Sequence, residues 1–255
     1  MDSFISWIGG KKLLREAICE RFPQSNSIKI EKYVEVFGGA AWVLFHKERH
    51  AALEVYNDIN SHLVNLFKCV KHHPSAMKEE LENLLYSRET YNNFKEFYKN
   101  LALTDIQRAA MYFYIIKASF GSKVTSFGAK PRDIANADYL QVIKERLKTV
   151  VIENKSFEAL IKQYDRSHTL FYCDPPYFGT ERYYDHGDAP FGKDMHQKLA
   201  EILKGVKGKV IVSYNDAEFI RELYRGFNVE EVVRQNNLSP DAGKEPYREL
   251  IIRNY

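Results

Sequence analysis

The run Tyr33-Val-Glu-Val-Phe37, followed at once by Gly38-Gly39, constrains the chain more than any other feature. A short apolar run that stops at paired glycines reads as a strand whose backbone turns sharply at its end. The spacing predicts a helix from about Ala40 to His50 and a second strand over Ala52 to Tyr56, closed by Asn57-Asp58. Strand, helix, strand is the unit from which parallel sheets are built.

The pattern then breaks and later resumes. From about Ser61 to Phe120 the composition is helical, with polar connections at His72-His73-Pro74 and Lys99-Asn100, and Gly121 to Asp133 reads as a loop. Further helices are expected over Leu13 to Arg21, Leu140 to Lys148 and Lys193 to Lys204. Strands return at Val150 to Glu153, Leu170 to Cys173 and Lys209 to Tyr214, and Phe227 to Arg234 with Glu249 to Arg253 read as final antiparallel strands. The expected architecture is an α/β sheet interrupted by a mainly helical insert.

Apolar residues at 45% supply a sizeable core, and a net charge of +3 permits nucleic-acid binding without arguing for it. Distribution says more: 117–132 holds four basic residues and no acidic one. No signal peptide opens the chain, and no run of 18 apolar residues suggests a membrane span. Cys19, Cys69 and Cys173 match no zinc or redox spacing, which points to a reducing cytoplasm. His46 and His50, at i and i+4, lack the His-Glu-x-x-His form, so they read as surface histidines and no metal is expected. Cys173 reads as core filler.

Glycine between a strand and a helix lets the backbone approach a ligand closely. There is no G-x-G-x-x-G for a pyrophosphate and no Walker lysine for a triphosphate. Asp58 lies 19 residues beyond Gly39, at the end of the next strand. A carboxylate there suits the two hydroxyls of a ribose, so the pair suggests a nucleoside without a pyrophosphate. The competing role for Asp58 is capping the helix that follows.

Asp174-Pro-Pro-Tyr177, directly after a strand, is the most specific signal in the chain. Neither proline donates a main-chain hydrogen bond and both fix φ. The corner therefore presents acceptors, the Asp174 carboxylate and the Pro175 carbonyl, to a group with two N–H donors such as the adenine amine. Tyr177 offers a ring on which an extruded base stacks. The adenine amine is a poor nucleophile, because its lone pair is delocalised. Acceptors on its hydrogens return electron density to nitrogen and stabilise the charge that develops there. The competing reading is a proline-rich turn with no chemistry.

With these motifs in view, the chain resembles the Dam-like DNA adenine methyltransferases, whose cofactor motif precedes the catalytic one (the alpha group). The resemblance runs through Phe4-Ile-Ser-Trp-Ile-Gly-Gly-Lys11, Val36-Phe-Gly-Gly-Ala-Ala-Trp42, Asn57-Asp-Ile-Asn60, Asp174-Pro-Pro-Tyr177 and Ser213-Tyr-Asn-Asp216, in the family's order. It implies a Rossmann-like class I methyltransferase fold with a mixed seven-stranded sheet and S-adenosylmethionine as cofactor. It implies a catalytic domain over 1–62 and 150–255, and a target-recognition insert over 63–149. Trp7, Gly9, Gly10 and Lys11 would contact the cofactor, with Lys11 near its carboxylate. Glu35, Phe37 and Gly39 would line its methionine and ribose, Asp58 would hold the ribose hydroxyls, and Phe157 would flank the adenine. Asp174, Pro175, Pro176 and Tyr177 would be catalytic, Asp174 also bordering the cofactor.

Two departures stand out. Ala41 occupies a position where the family has glycine. Lys117-Ala-Ser-Phe-Gly-Ser122 differs from the segment of enzymes that read GATC, so that target is not assigned. In the family context Lys117, Phe120, Lys123, Ser126, Lys130 and Arg132 become candidates for base and phosphate contacts. Tyr183 and Tyr184, within Phe178 to Phe191, are expected in a loop that orders over the extruded base. The partner is then duplex DNA, bound by a monomer, with a cognate restriction endonuclease as a candidate companion and a bacterial or phage source. The alternatives are a methyltransferase of this fold acting on RNA or a protein amide, and a non-catalytic DNA-binding protein with a decayed cofactor site; an intact Asp174-Pro-Pro-Tyr177 argues against the second.

Overall fold

The computed structural model describes the whole chain except residues 25–28, 123, 130–133, 135, 182–190 and 235–246. Seven strands form one sheet: β1 (Lys32–Glu35), β2 (Leu53–Asn57), β3 (Val150–Glu153), β4 (Thr169–Cys173), β5 (Lys209–Asn215), β6 (Asn228–Arg234) and β7 (Tyr247–Arg253). Their order is β3-β2-β1-β4-β5-β7-β6. The pairs among β1 to β5 are parallel, and β7 runs antiparallel to both β5 and β6. The fold expected from the sequence is thus the fold observed, a Rossmann-like mixed sheet, and the expected strands match those observed to within two residues.

Alternation along the strands divides the core into two layers. Tyr33, Tyr56, Tyr172, Ile211 and Ile251 point to one face. Val34, Val55, Phe171, Cys173, Val212 and Ile252 point to the other. Helices α7 (Phe157–Tyr164), α8 (Lys193–Lys204) and α9 (Glu218–Leu223) cover the second face. The first is covered by α1 (Arg15–Glu20), α2 (Ser61–His72), α3 (Pro74–Glu82), α5 (Asp105–Ala118) and α6 (Leu140–Leu147), with α4 (Arg88–Phe97) packed on α5. The helical stretch therefore shares one continuous apolar cluster with the sheet. Its ends are set by local chemistry: Asn60 caps α2 by accepting from the His62 and Leu63 amides, and Thr104 with Gln107 forms a capping box on α5. No helix among the described residues is long and apolar enough to cross a membrane.

One expected helix does not form. Between Ala40 and His50 the chain makes turns and a single 3₁₀ turn, Leu44–His46. Gly39 and Ala41 take positive φ, +49° and +56°, which an α-helix cannot contain. Side chains from elsewhere take the main-chain groups. The Leu44 amide donates to Glu35 Oε2 at 2.9 Å, and Arg146 donates to the Leu44 and Lys47 carbonyls. His46 and His50 therefore share no helical face. His50 is no surface residue either, since its ring stacks on Tyr33 at 4.6 Å and burial pulls its pKa down to about 4. Cys173 is fully buried, as expected of core filler.

Candidate active site

The strand order reverses between β1 and β4, and a cleft opens outside the carboxyl ends of these two strands, the place where open α/β sheets bind ligands. It encloses about 720 Å³ including its open mouth. Trp7, Gly10, Lys11, Glu35, Phe37 and Gly39 all line it, as do Asp58, Asp174 and Pro176. Three of the residues expected there sit behind the surface, Pro175 being buried between Asp174 and Pro176. Phe157 is buried against Phe37, ring centroids 5.8 Å apart, and Tyr177 is 5% exposed. Gly9 contributes its carbonyl, which accepts from Lys11 Nζ at 2.6 Å.

Two glycines make the turn possible. A Cβ on Gly38 would fall 2.2 Å from a ring carbon of Tyr56, so the chain passes over that ring only without a side chain. Gly39 holds φ +49° with the Trp7 indole 3.1 Å from where its Cβ would stand. Asp58 ties the two loops together. Its Oδ2 accepts the Gly39 amide at 2.8 Å and its Oδ1 accepts the Asn60 amide at 2.9 Å. The helix cap that Asp58 might have supplied comes from Asn60 instead. Asn57 adds a second tie, donating to the Val36 and Lys155 carbonyls.

Glu35 is 2% exposed and closes the inner end of the cleft. Its Oε2 accepts from Tyr33 Oη at 2.8 Å and from the Leu44 amide. Burial nevertheless pushes its carboxyl up to about 8.

Asp174 follows β4 directly, and the fully buried strand fixes its position. Lys11 Nζ lies 2.8 Å from its Oδ1, and Ser213 Oγ on β5 donates to the same oxygen at 2.9 Å. Both partners of Asp174 among the described residues thus fall on Oδ1. Burial raises its pKa, and the Lys11 ammonium pulls against that rise. The same ammonium stands 4.6 Å from the centroid of the Tyr177 ring. Tyr177 Oη donates to Glu249 Oε2, and Glu249 also stands 4.0 Å from Lys11 Nζ.

Several lining residues were not picked out from the sequence: Tyr172, Ile59, Asn60 and Phe191. Ile59 and Asn60 belong to the Asn57-Asp-Ile-Asn60 motif, and Ile59 is 49% exposed beside Asp58. Phe191 packs its ring on Phe37 at 5.7 Å and on Phe157 at 6.0 Å. Glu249 carried no local signal, because it lies in an ordinary-looking strand.

The segment after α5 is pinned as a narrow loop. Ser119 bridges Phe127, the Phe120 amide donates to the Ser126 carbonyl, and the Gly128 amide donates to that of Ala118. Phe120 is 71% exposed at its start, and Ser126 is exposed as well. Lys117 is held by ring faces, 5.2 Å from Phe113 and 5.3 Å from Tyr139. Lys123, Lys130, Arg132, Tyr183 and Tyr184 lie outside the described residues.

Comparison with known proteins agrees with this geometry. The family model described as "D12 class N6 adenine-specific DNA methyltransferase" matches residues 7–238. Similar curated proteins include the Type II methyltransferase M.CviBI of Paramecium bursaria Chlorella virus NC1A, 26% identical with 100% of each chain covered. The Type II methyltransferase M.MjaIII of Methanocaldococcus jannaschii is 28% identical, over 99% of this chain and 98% of its own. A DNA adenine methylase of Haemophilus influenzae is 24% identical, over 97% and 92%. With nearly its whole length matched and a glycine turn, an acid and an Asp-Pro-Pro-Tyr corner meeting at one sheet switch point, the chain belongs to the D12 class of N6 adenine-specific DNA methyltransferases.

Proposed function

We propose that the cleft binds S-adenosylmethionine and that the Asp174–Tyr177 corner receives an adenine turned out of duplex DNA. The residues present suit that cofactor. Asp58 lines the cleft, and the Gly39 and Asn60 amides that its oxygens accept fix its carboxylate where ribose hydroxyls can donate to it. The bare backbone of Gly39 leaves the floor open beside the Trp7 indole. Trp7, Gly9, Gly10 and Lys11 hold the amino-acid end; Glu35, Phe37 and Gly39 line the middle; Phe157, behind Phe37, walls the adenine side. When bound, S-adenosylmethionine supplies an electrophilic methyl group.

The observation that carries the reading is the one-sided loading of Asp174. With Lys11 and Ser213 both on Oδ1, Oδ2 is the acceptor for one amine hydrogen, and the Pro175 carbonyl takes the other. The two prolines add no competing donor. Burial raises the pKa of Asp174 and the Lys11 ammonium opposes that rise, favouring the charged acceptor that a developing cationic amine needs. Tyr177, buried behind the corner with its hydroxyl held by Glu249, braces the corner at the base. No observation favours RNA, a protein amide or a decayed site.

Residues 63–149 serve as the target-recognition region. Within it the loop from Ser119 to Phe127 presents Phe120 to bases and Ser126 to phosphates, with Lys117, Lys123, Lys130 and Arg132 as the cations. The protein works in the cytoplasm as a monomer on duplex DNA, and Tyr183 and Tyr184, which lie outside the described residues, are candidate contacts to the base. The Type II names of two relatives support a restriction endonuclease as its companion. Incubation of duplex DNA with labelled S-adenosylmethionine tests the reading: label on N6 of adenine supports it, and label confined to RNA or protein overturns it.

A further inference from the structure

We infer that Glu249 is a positioning residue for methyl transfer, acting through the hydroxyl of Tyr177. The inference rests on the role proposed for Tyr177 at the base.

Glu249 is an acid in the wrong place for stability. It is 2% exposed in β7, and the residues after it, Leu250, Ile251 and Ile252, are core. Removing a carboxylate from water is costly unless it is paired and hydrogen-bonded. Two of its partners belong to the methyl-transfer corner. Its Oε2 accepts from Tyr177 Oη, and the same oxygen stands 4.0 Å from Lys11 Nζ. Lys11 in turn pairs with Asp174 and lies over the Tyr177 ring.

The antiparallel pairing delivers Glu249 to this point. In the register of β5 with β7, Asn215 faces Glu249 and Ser213 faces Ile251. Ser213 donates to Asp174, and Asn215 Nδ2 donates to the Phe178 carbonyl at 3.1 Å. The end of β5 therefore fixes the acid and the chain beyond Tyr177, while β7 fixes the far end of the Tyr177 ring. A ring held at both its Cβ and its hydroxyl has one orientation. The corner that carries Asp174 and the Pro175 carbonyl is then held in one geometry against the amine, and positioning of that kind is a rate effect rather than a binding effect.

The experiment is a double-mutant cycle on the full-length enzyme, with methyl transfer to duplex DNA followed at saturating substrates. Glu249→Ala is expected to lower kcat about tenfold while KM for DNA and for S-adenosylmethionine stays within about twofold. Glu249→Gln, which still accepts the phenol proton, should recover most of that loss. Tyr177→Phe should lose as much as Glu249→Ala, and the double variant should be no slower than either single. Wild-type kcat in Glu249→Ala, equal losses in the Gln and Ala variants, or losses that multiply in the double variant would each overturn the inference. Tyr177→Ala separates this from the reading beneath it. If Tyr177→Ala keeps full activity, Tyr177 is not at the base at all; if it is slow while Tyr177→Phe is normal, only the coupling to Glu249 is wrong.

Discussion

Lys11 Nζ and Asp174 Oδ1 lie 2.8 Å apart, joining the first glycine motif of the chain to the corner after β4, with the lysine 4% exposed. Lys11 answers the charge of the acid from one side and leaves the other oxygen to the substrate. Removing the lysine leaves a partly buried carboxylate with the Ser213 hydroxyl but no countercharge, which costs less than the roughly 3–5 kcal/mol of fully buried pairs.

Lys11→Met should therefore do more than weaken binding. Burial already raises the Asp174 pKa and Lys11 opposes it, so the variant should push that pKa up further. If turnover needs ionised Asp174, the acidic limb of the pH–kcat profile moves to higher pH. A profile that falls in height without moving would separate Lys11 from the ionisation of Asp174.

Glu35 should set a pH dependence of stability in the ligand-free protein. Its folded carboxyl titrates near 8, against 4.5 for an ordinary glutamate. Across that window the folded state keeps a proton that the unfolded chain has lost. Stability conferred by protonation is thus greatest below about 4.5 and declines as pH rises toward 8. Denaturant unfolding of Glu35→Gln should show a flatter curve over the same range, and an unchanged slope would assign the dependence to other groups.

Ala41 holds φ +56°, where an L-residue is strained and glycine is not. Ala41→Gly should raise the unfolding free energy by about 1 kcal/mol, since relief of left-handed strain outweighs the added freedom of the unfolded chain. A destabilised variant would mean that the packing of the Ala41 methyl, which is fully buried, matters more than its backbone.

Phe120 is exposed and uncharged. Phe120→Ala should weaken DNA binding by about 1–3 kcal/mol through lost stacking while the salt dependence of binding stays the same. Titrations at two ionic strengths check both parts. Loss of affinity with a shallower salt slope would point to a disturbed phosphate contact instead.

What could be read from the residues alone divides along a physical line. β4 and β5 were legible because buried parallel strands are written as apolar runs, and Asp174-Pro-Pro-Tyr177 was legible because its chemistry lies in four consecutive residues. The turns between Ala40 and His50 were not. They depend on Glu35 capturing the Leu44 amide and on Arg146, far along the chain and paired with buried Glu54, capturing two carbonyls. Helices α7 and α9 were not expected from the sequence, although α6 and α1, of the same lengths, were. In the site, Asp58 is marked by its distance from Gly39, whereas Phe191 reaches the cleft and Glu249 reaches the Tyr177 hydroxyl through tertiary folding, and neither has a local mark.

The most direct measurement compares wild type with Asp174→Ala in two assays, transfer of labelled methyl from S-adenosylmethionine to adenine in duplex DNA and equilibrium binding of S-adenosylmethionine. Expected is a loss of transfer of at least about 100-fold with the dissociation constant changed by no more than severalfold, because the acid acts on charge that develops only in the transition state. Transfer at the wild-type rate in Asp174→Ala, with binding intact, would contradict the central claim that this carboxylate receives the adenine amine.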